Sequence, residues 1–167
     1  NSGYFQNVGD SRRQGLELAV NNKLGSLSIS LRYGFVDATY RSSFTVNSPA
    51  NSSADAGGNI RVSPGKQLPG IARHTLKLRL DNDISAQWSA GMSVTGSSGI
   101  YARGDENNQD ANGRVPGYTV VNLDARLRLG GNVEMFARIN NLFDRTYANY
   151  GSLGRNLFTG PAGTFDG

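Results

Sequence analysis

With 167 residues the chain is long enough for one ordinary domain, but 37% hydrophobic residues and 22 glycines are not the composition of a conventional core. The formal charge of +4 is spread along the chain, with Arg12-Arg13 the only adjacent basic pair. That spread excludes the basic patch a nucleic-acid partner requires, and the absence of cysteine excludes disulfide frameworks and thiolate metal sites.

In chain order, period-two alternation of apolar and polar side chains predicts about six strands. The first covers residues 13–24, with Leu16, Leu18 and Val20 on one face and Glu17, Ala19 and Asn21 on the other. The second, 26–40, sets Leu27, Ile29, Leu31, Tyr33 and Phe35 against Ser28, Ser30, Arg32 and Gly34. The third, 74–84, sets Leu76, Leu78 and Leu80 against Thr75, Lys77 and Arg79. The fourth, 87–101, alternates Trp88, Ala90, Met92 and Val94 with Ser89, Gly91, Ser93 and Thr95. The fifth, 118–129, alternates Val121, Leu123, Ala125, Leu127 and Leu129 with Asn122, Asp124, Arg126 and Arg128. The sixth, 132–143, carries Val133, Met135, Ala137 and Ile139 on one face.

The connections alternate as well. Tight turns are expected at Lys23-Leu24-Gly25-Ser26, Ile84-Ser85-Ala86-Gln87 and Gly130-Gly131-Asn132, and long polar loops at 41–73, 102–117 and after Tyr147. Short turns at one end and long loops at the other is the asymmetry of outer-membrane barrels. Tyr33, Phe35, Tyr40, Trp88, Tyr101, Tyr118, Phe143 and Tyr147 fall near the predicted strand ends, where two aromatic girdles are expected at the membrane–water boundaries.

The polar faces carry Glu17, Arg32, Lys77, Arg79, Asp124, Arg126, Arg128, Glu134 and Arg138. A basic residue facing mid-bilayer hydrocarbon costs about 2–4 kcal/mol and an acidic one less, whereas facing a wet lumen they cost little. A narrow barrel filled with side chains would have to pair them all. A wide lumen follows, and about six strands cannot close one without leaving edges that hydrocarbon does not tolerate. The chain is therefore expected to be a section of wall. No apolar run approaches the roughly 18 residues of a membrane-spanning helix, but barrel strands need only about 9–11 alternating residues. Asn1-Ser2-Gly3-Tyr4 offers neither a starting Met nor an apolar leader, which also suggests a piece of a longer protein. Two alternatives stay open: a passive porin-like barrel, and a soluble β-sandwich binding module in which Leu16, Leu78 and Leu123 would be sealed together.

Several segments together resemble the C-terminal third or so of the barrel of a TonB-dependent siderophore receptor. They are Gly3-Tyr4-Phe5-Gln6-Asn7-Val8-Gly9-Asp10-Ser11-Arg12-Arg13-Gln14-Gly15-Leu16-Glu17-Leu18, Gly58-Asn59-Ile60-Arg61-Val62, Pro64-Gly65-Lys66-Gln67-Leu68-Pro69-Gly70-Ile71-Ala72-Arg73-His74, Val115-Pro116-Gly117-Tyr118 and Asn141-Leu142-Phe143-Asp144-Arg145-Thr146-Tyr147. The resemblance implies an all-β, antiparallel, up-and-down transmembrane β-barrel of roughly 22 strands, of which residues 1–167 supply about six. It implies short periplasmic turns, long extracellular loops and the outer membrane of a Gram-negative bacterium. It further implies a monomeric full-length barrel in contact with outer-membrane lipid, a ferric siderophore or similar chelate as ligand, and coupling to the TonB complex through an N-terminal plug and TonB box. Those two elements, and the family's final strand, are not found between Asn1 and Gly167; the last residues, Phe165-Asp166-Gly167, carry no alternating strand.

No catalytic constellation is present, so no enzyme, cofactor or metal site is expected. Gly-x-Ser-x-Gly does not occur, and His74 is the only histidine, too few for a metal site of its own. Residues 105–110 lack the glycine placement of a calcium loop and are expected to form a solvated extracellular loop. Asn51-Ser52-Ser53 matches a glycosylation sequon but means little in a bacterial envelope protein. Asn141, Leu142, Phe143, Asp144 and Tyr147 are expected to end a strand and order its loop. Ligand contact is expected from Arg41, Phe44, Arg61, Lys66, Arg73, Tyr101, Arg103 and Arg114, since cationic and aromatic side chains suit anionic or catechol-bearing ferric chelates.

Overall fold

A computed structural model describes residues 9–130 and 132–154. It contains, among those residues, ten strands and no helix: β1 (Ser11–Leu24), β2 (Leu27–Tyr40), β3 (Phe44–Asn47), β4 (Asn59–Val62), β5 (His74–Asp83), β6 (Trp88–Ser97), β7 (Ile100–Tyr101), β8 (Arg114–Val115), β9 (Tyr118–Arg128) and β10 (Glu134–Ile139). Six of them form one antiparallel sheet in the order β1-β2-β5-β6-β9-β10, an uninterrupted meander. β3 pairs with β4 and β7 with β8 in two small ribbons outside the sheet. The outer strands β1 and β10 have no further neighbour among the described residues, so the sheet is an open section of wall.

The register aligns the alternation of all six strands. Val20, Leu31, Leu78, Val94 and Val121 share one row, and Ile29, Leu80, Met92, Leu123 and Ile139 share another. A slip of one residue in any pair would turn one strand's apolar set to the wrong face. Nothing among the described residues covers this apolar face: Leu16 is 64% exposed, and Leu78 and Leu123 are partly exposed. The sealed interior of a sandwich is absent among the described residues.

The opposite face is a polar lattice. Asn21, Ser30, Arg79, Ser93 and Asn122 lie in one row, where Ser30 Oγ donates to Asn21 Oδ1 at 2.7 Å and Asn122 Nδ2 donates to Ser93 Oγ at 3.1 Å. The Arg79 guanidinium bonds Asp81 on its own strand, then crosses β6 to reach Asp124 Oδ2 at 2.9 Å. Gly91 opens that path, since a Cβ there would lie 2.2 Å from Arg79 Nη2. Glu134 sits 3.5 Å from both Arg126 and Arg128.

At one end of the sheet the strands join through short turns. Gly25, at φ 62°, takes the left-handed conformation between β1 and β2. Ser85 Oγ accepts from the Gln87 and Trp88 amides between β5 and β6. Gly131, in the third predicted turn, lies outside the described residues, as do residues 1–8 and the segment after 154.

Three boundaries differ from the sequence reading. The fourth strand does not run to Tyr101: β6 stops at Ser97, and Ile100–Tyr101 leaves the sheet to pair with β8. The sixth strand is shorter, spanning only Glu134–Ile139. The loop at 41–73 contains the β3–β4 hairpin, whose four-residue strands are too short for alternation to reveal. The buried side chains lie largely in these loops and at the strand ends beside them. Ile60, Val62, Ile100 and Ala102 are buried there, as are Ala38 and Tyr40 at the end of β2 and Val120 near the start of β9.

Candidate functional site

The long connections 41–73, 98–117 and 140–154 all leave the same end of the sheet and are stitched into one layer. Asp105, fully buried, is its centre. Its Oδ1 accepts from the Gln109 amide at 2.8 Å, the Asp110 amide at 2.9 Å and Asn51 Nδ2 at 3.3 Å. Asn51, 4% exposed, also donates to the Gly104 carbonyl at 3.0 Å, which Ser48 Oγ reaches at 2.7 Å. Asn107 Nδ2 donates to Ser53 Oγ at 2.8 Å. Asn108, at φ 54°, uses its side-chain amide as a backbone mimic: Oδ1 accepts from the Gln67 amide and Nδ2 donates to the Gln67 carbonyl.

These bonds correct the expectation of a solvated loop at 105–110. Asp105 and Asn107 are interior groups, and Asn51 of the sequon-like triplet is their partner across the two loops. Sequence spacing concealed this because the partners lie more than fifty residues apart. Gly113 completes the knot, since a Cβ there would meet Asp105 Oδ2 at 2.5 Å.

Asp110 locks the rim of the same knot. Its Oδ2 accepts from the Ser52 amide at 2.6 Å and its Oδ1 from the Asn112 amide at 2.8 Å. Partial burial pushes its pKa up, but these hydrogen bonds to the ionised form outweigh burial and hold it below the ordinary aspartate range. The third loop joins through Arg103, whose amide donates to the Gly151 carbonyl at 2.9 Å and whose carbonyl accepts from the Leu153 amide at 2.7 Å.

The Asn141 motif has a local geometry that accounts for its composition. The Asn141 amide donates to Asn122 Oδ1 at 2.8 Å, and the Leu142 amide to the Val121 carbonyl at 2.8 Å, which ties the end of β10 back to β9. Asn141 and Asp144 both take positive φ, 52° and 47°, conformations that Asn and Asp tolerate. The Asn141 side chain closes the turn with Oδ1 accepting from the Arg145 amide at 3.0 Å and Nδ2 donating to its carbonyl at 3.1 Å. Leu142 and Phe143 are exposed in part, and Tyr147 stacks on Tyr118 with centroids 4.5 Å apart.

The expected ligand residues distribute over this layer unevenly. Tyr101 and Arg114 are brought together on the β7–β8 ribbon, with Arg114 Cζ 5.2 Å from the ring centroid and Nη1 3.2 Å from the hydroxyl. Phe44 and Arg61 share the β3–β4 hairpin, and Phe44 packs edge-on against Tyr40 at 4.9 Å. Lys66 lies beside the end of β2, where its carbonyl accepts from the Tyr40 amide. Arg41 and Arg103 are exposed, and Arg73 is paired with Asp37. Tyr40 and Tyr101 thus belong to the loop layer, and Tyr118 falls opposite Ser97 on the polar face, which removes all three from the expected girdles. Tyr33 and Phe35 at one end and Trp88 at the other do lie on the apolar face.

Comparison with known proteins completes the picture. The TonB dependent receptor-like β-barrel model matches residues 1–142. The metal-pseudopaline receptor CntO of Pseudomonas aeruginosa is 26% identical over 148 residues, 88% of this chain and 19% of the relative. The probable TonB-dependent siderophore receptor PiuA of Acinetobacter baumannii is 28% identical over 144 residues, 86% of this chain and 18% of the relative. The chain therefore spans about a fifth of the length of the curated relatives it matches. The crystal structure of that siderophore receptor PiuA superposes with a TM-score of 0.71 at 25% identity, covering 88% of this chain and 20% of the other. The ferric-catecholate import receptor Fiu of E. coli K12, at 19% identity and a TM-score of 0.65 over 85% of this chain and 18% of the other, shares the fold.

Proposed function

Since the chain belongs to the TonB-dependent receptor-like β-barrel family, we propose that it forms a wall section and part of the extracellular cap of an outer-membrane receptor that imports a ferric siderophore or similar metal chelate. The observation that carries this reading is the two-faced sheet. An uncovered apolar face with a charged face behind it is stable only with hydrocarbon on one side and water on the other.

In this reading the short turns face the periplasm and the loop layer faces outward. The missing strands close the barrel around a lumen lined by the Arg79–Asp124 row. The chelate meets the cap first, where Phe44, Arg61, Lys66, Tyr101, Arg103 and Arg114 offer aromatic faces and cations to an anionic or catechol-bearing ligand. A cap cross-linked through Asp105 holds these side chains in place before the ligand arrives, which lowers the ordering cost of binding. An N-terminal plug and the TonB complex supply gating and energy, as the family resemblance implies.

The test uses the full-length receptor in a strain lacking other chelate importers. Uptake of the labelled ferric chelate should require both the receptor and TonB. Uptake that persists without TonB, or a steady ion conductance in planar bilayers, would assign the protein to the passive porins.

A further inference from the structure

On the apolar face, the row formed by Leu16, Phe35 and His74 is the last hydrophobic one before the loops. Tyr33 Oη lies 2.8 Å from His74 Nδ1, and the Phe35 and His74 rings are 5.2 Å apart, so a small aromatic platform edges the hydrocarbon band here. Above it the same face changes character. Asp37 follows Phe35 by two residues, and Arg12 has the parity of Leu16, so both project to the side of the wall that carries the apolar stripe. Arg73, at the bend that leads into β5, reaches Asp37 Oδ1 at 3.2 Å, while Arg12 approaches Oδ2 at 3.9 Å.

One carboxylate therefore gathers two guanidiniums that remain 47% and 45% exposed. The cluster carries a net positive charge, and most of its N–H donors have no acceptor among the described residues. A purely structural ion pair would need only one arginine. Two residues along a tilted strand place Asp37 roughly 5 Å beyond the aromatic row, the depth of lipid headgroups.

We propose that the Arg12–Asp37–Arg73 cluster binds the phosphate of an anionic lipid headgroup in the outer leaflet. The two planar forks suit a phosphate's several oxygens, and the aromatic platform beneath receives the apolar part of the same lipid. The siting on the hydrocarbon side of the wall selects a lipid over a free anion, which would reach the loops and lumen more readily. This inference rests on the outer-membrane reading given above.

The experiment takes the delipidated full-length receptor in detergent. It measures binding of a bisphosphorylated glycolipid, of the same lipid with its phosphates removed, and of inorganic phosphate, by native mass spectrometry and titration. The wild type should retain the phosphorylated lipid and discriminate against the dephosphorylated one. The double variant Arg12→Gln/Arg73→Gln should bind it on the order of tenfold more weakly. Asp37→Asn, which removes the competing carboxylate, should bind it more tightly. Unheated gel mobility verifies that each variant is folded. Equal lipid affinity in the double variant, or no preference for the phosphorylated lipid, overturns the proposal. Displacement of the lipid by millimolar inorganic phosphate reassigns the cluster to a free anion and also overturns it. A receptor that never inserts into bilayers would instead refute the outer-membrane reading itself.

Discussion

Leu16 on the sheet is 64% exposed, while Ile60 in the loop layer is 1% exposed and Asp105 in the same layer is fully buried. The usual relation between strands and loops is reversed. The sheet has no interior of its own, with an uncovered apolar face and a polar face behind it, and its order comes from the backbone ladder and from register. The loop layer has no long ladder, so it is held by buried side-chain hydrogen bonds and a few small apolar residues. A defect in the sheet should therefore be felt through the solvent it meets, and a defect in the cap through the groups it leaves unpaired.

The largest effect tests the sheet. Leu78→Arg, in the middle row of a central strand, should destabilise the full-length receptor in bilayers by about 2–4 kcal/mol, read from denaturant titration in vesicles. The neighbouring Lys77→Ser, on the polar face, should change stability by less than about 0.5 kcal/mol. Equal effects at both positions would remove the distinction between the faces. Next comes the cap. Asp105→Ala should loosen it by about 1–3 kcal/mol, since it strips the acceptor from the Gln109 and Asp110 amides and from the buried Asn51 side chain. Hydrogen exchange should accelerate in 48–53 and 104–113 while the sheet amides of β5 and β6 stay protected. Acceleration spread evenly over sheet and cap would show that the two regions are one cooperative unit.

Two glycines sharpen the same comparison. Gly113→Ala drives a methyl into an Asp105 side chain that the knot holds rigid, and should cost about 1–3 kcal/mol of cap stability. Gly91→Ala meets the far ends of the Arg79 and Asp124 side chains, which can move aside into water, and should cost less than about 1 kcal/mol. A reversed order in thermal denaturation would mean that the Arg79–Asp124 crossing is the more rigid of the two. The smallest effect is acidic. The pKa of Asp110 is depressed in the folded cap, so its contribution is complete above the ordinary aspartate value near 3.8 and is lost as pH falls through the lower, folded value. Exchange at Ser52 and Asn112 should rise below about pH 4 in the wild type. In Asp110→Asn it should be raised already at neutral pH.

How legible the chain was differs between the same two regions. The six sheet strands were readable, since Leu16, Leu78 and Leu123 repeat with period two against Glu17, Lys77 and Asp124, and each strand reports its own two faces. The pattern of short turns and long connections was equally local. The ribbons β3–β4 and β7–β8 escaped because strands of two to four residues carry too few alternations to register. The knot escaped for a different reason: Asn51 and Asp105 are unremarkable polar residues in polar segments, and only their meeting buries them.

The amino-acid order by itself thus determined the wall: which residues make its apolar face, which its polar face, and at which end the chain turns tightly. Those properties follow from neighbours one and two positions apart. Tertiary structure alone decided the cap: that Asn51 meets Asp105, Ser52 meets Asp110 and Gln67 meets Asn108, that Arg79 crosses a glycine to Asp124, and that Arg12 and Arg73 share Asp37. Each of those contacts joins segments distant in sequence, and a hydrogen bond or ion pair has no periodicity along the chain by which it could be foreseen.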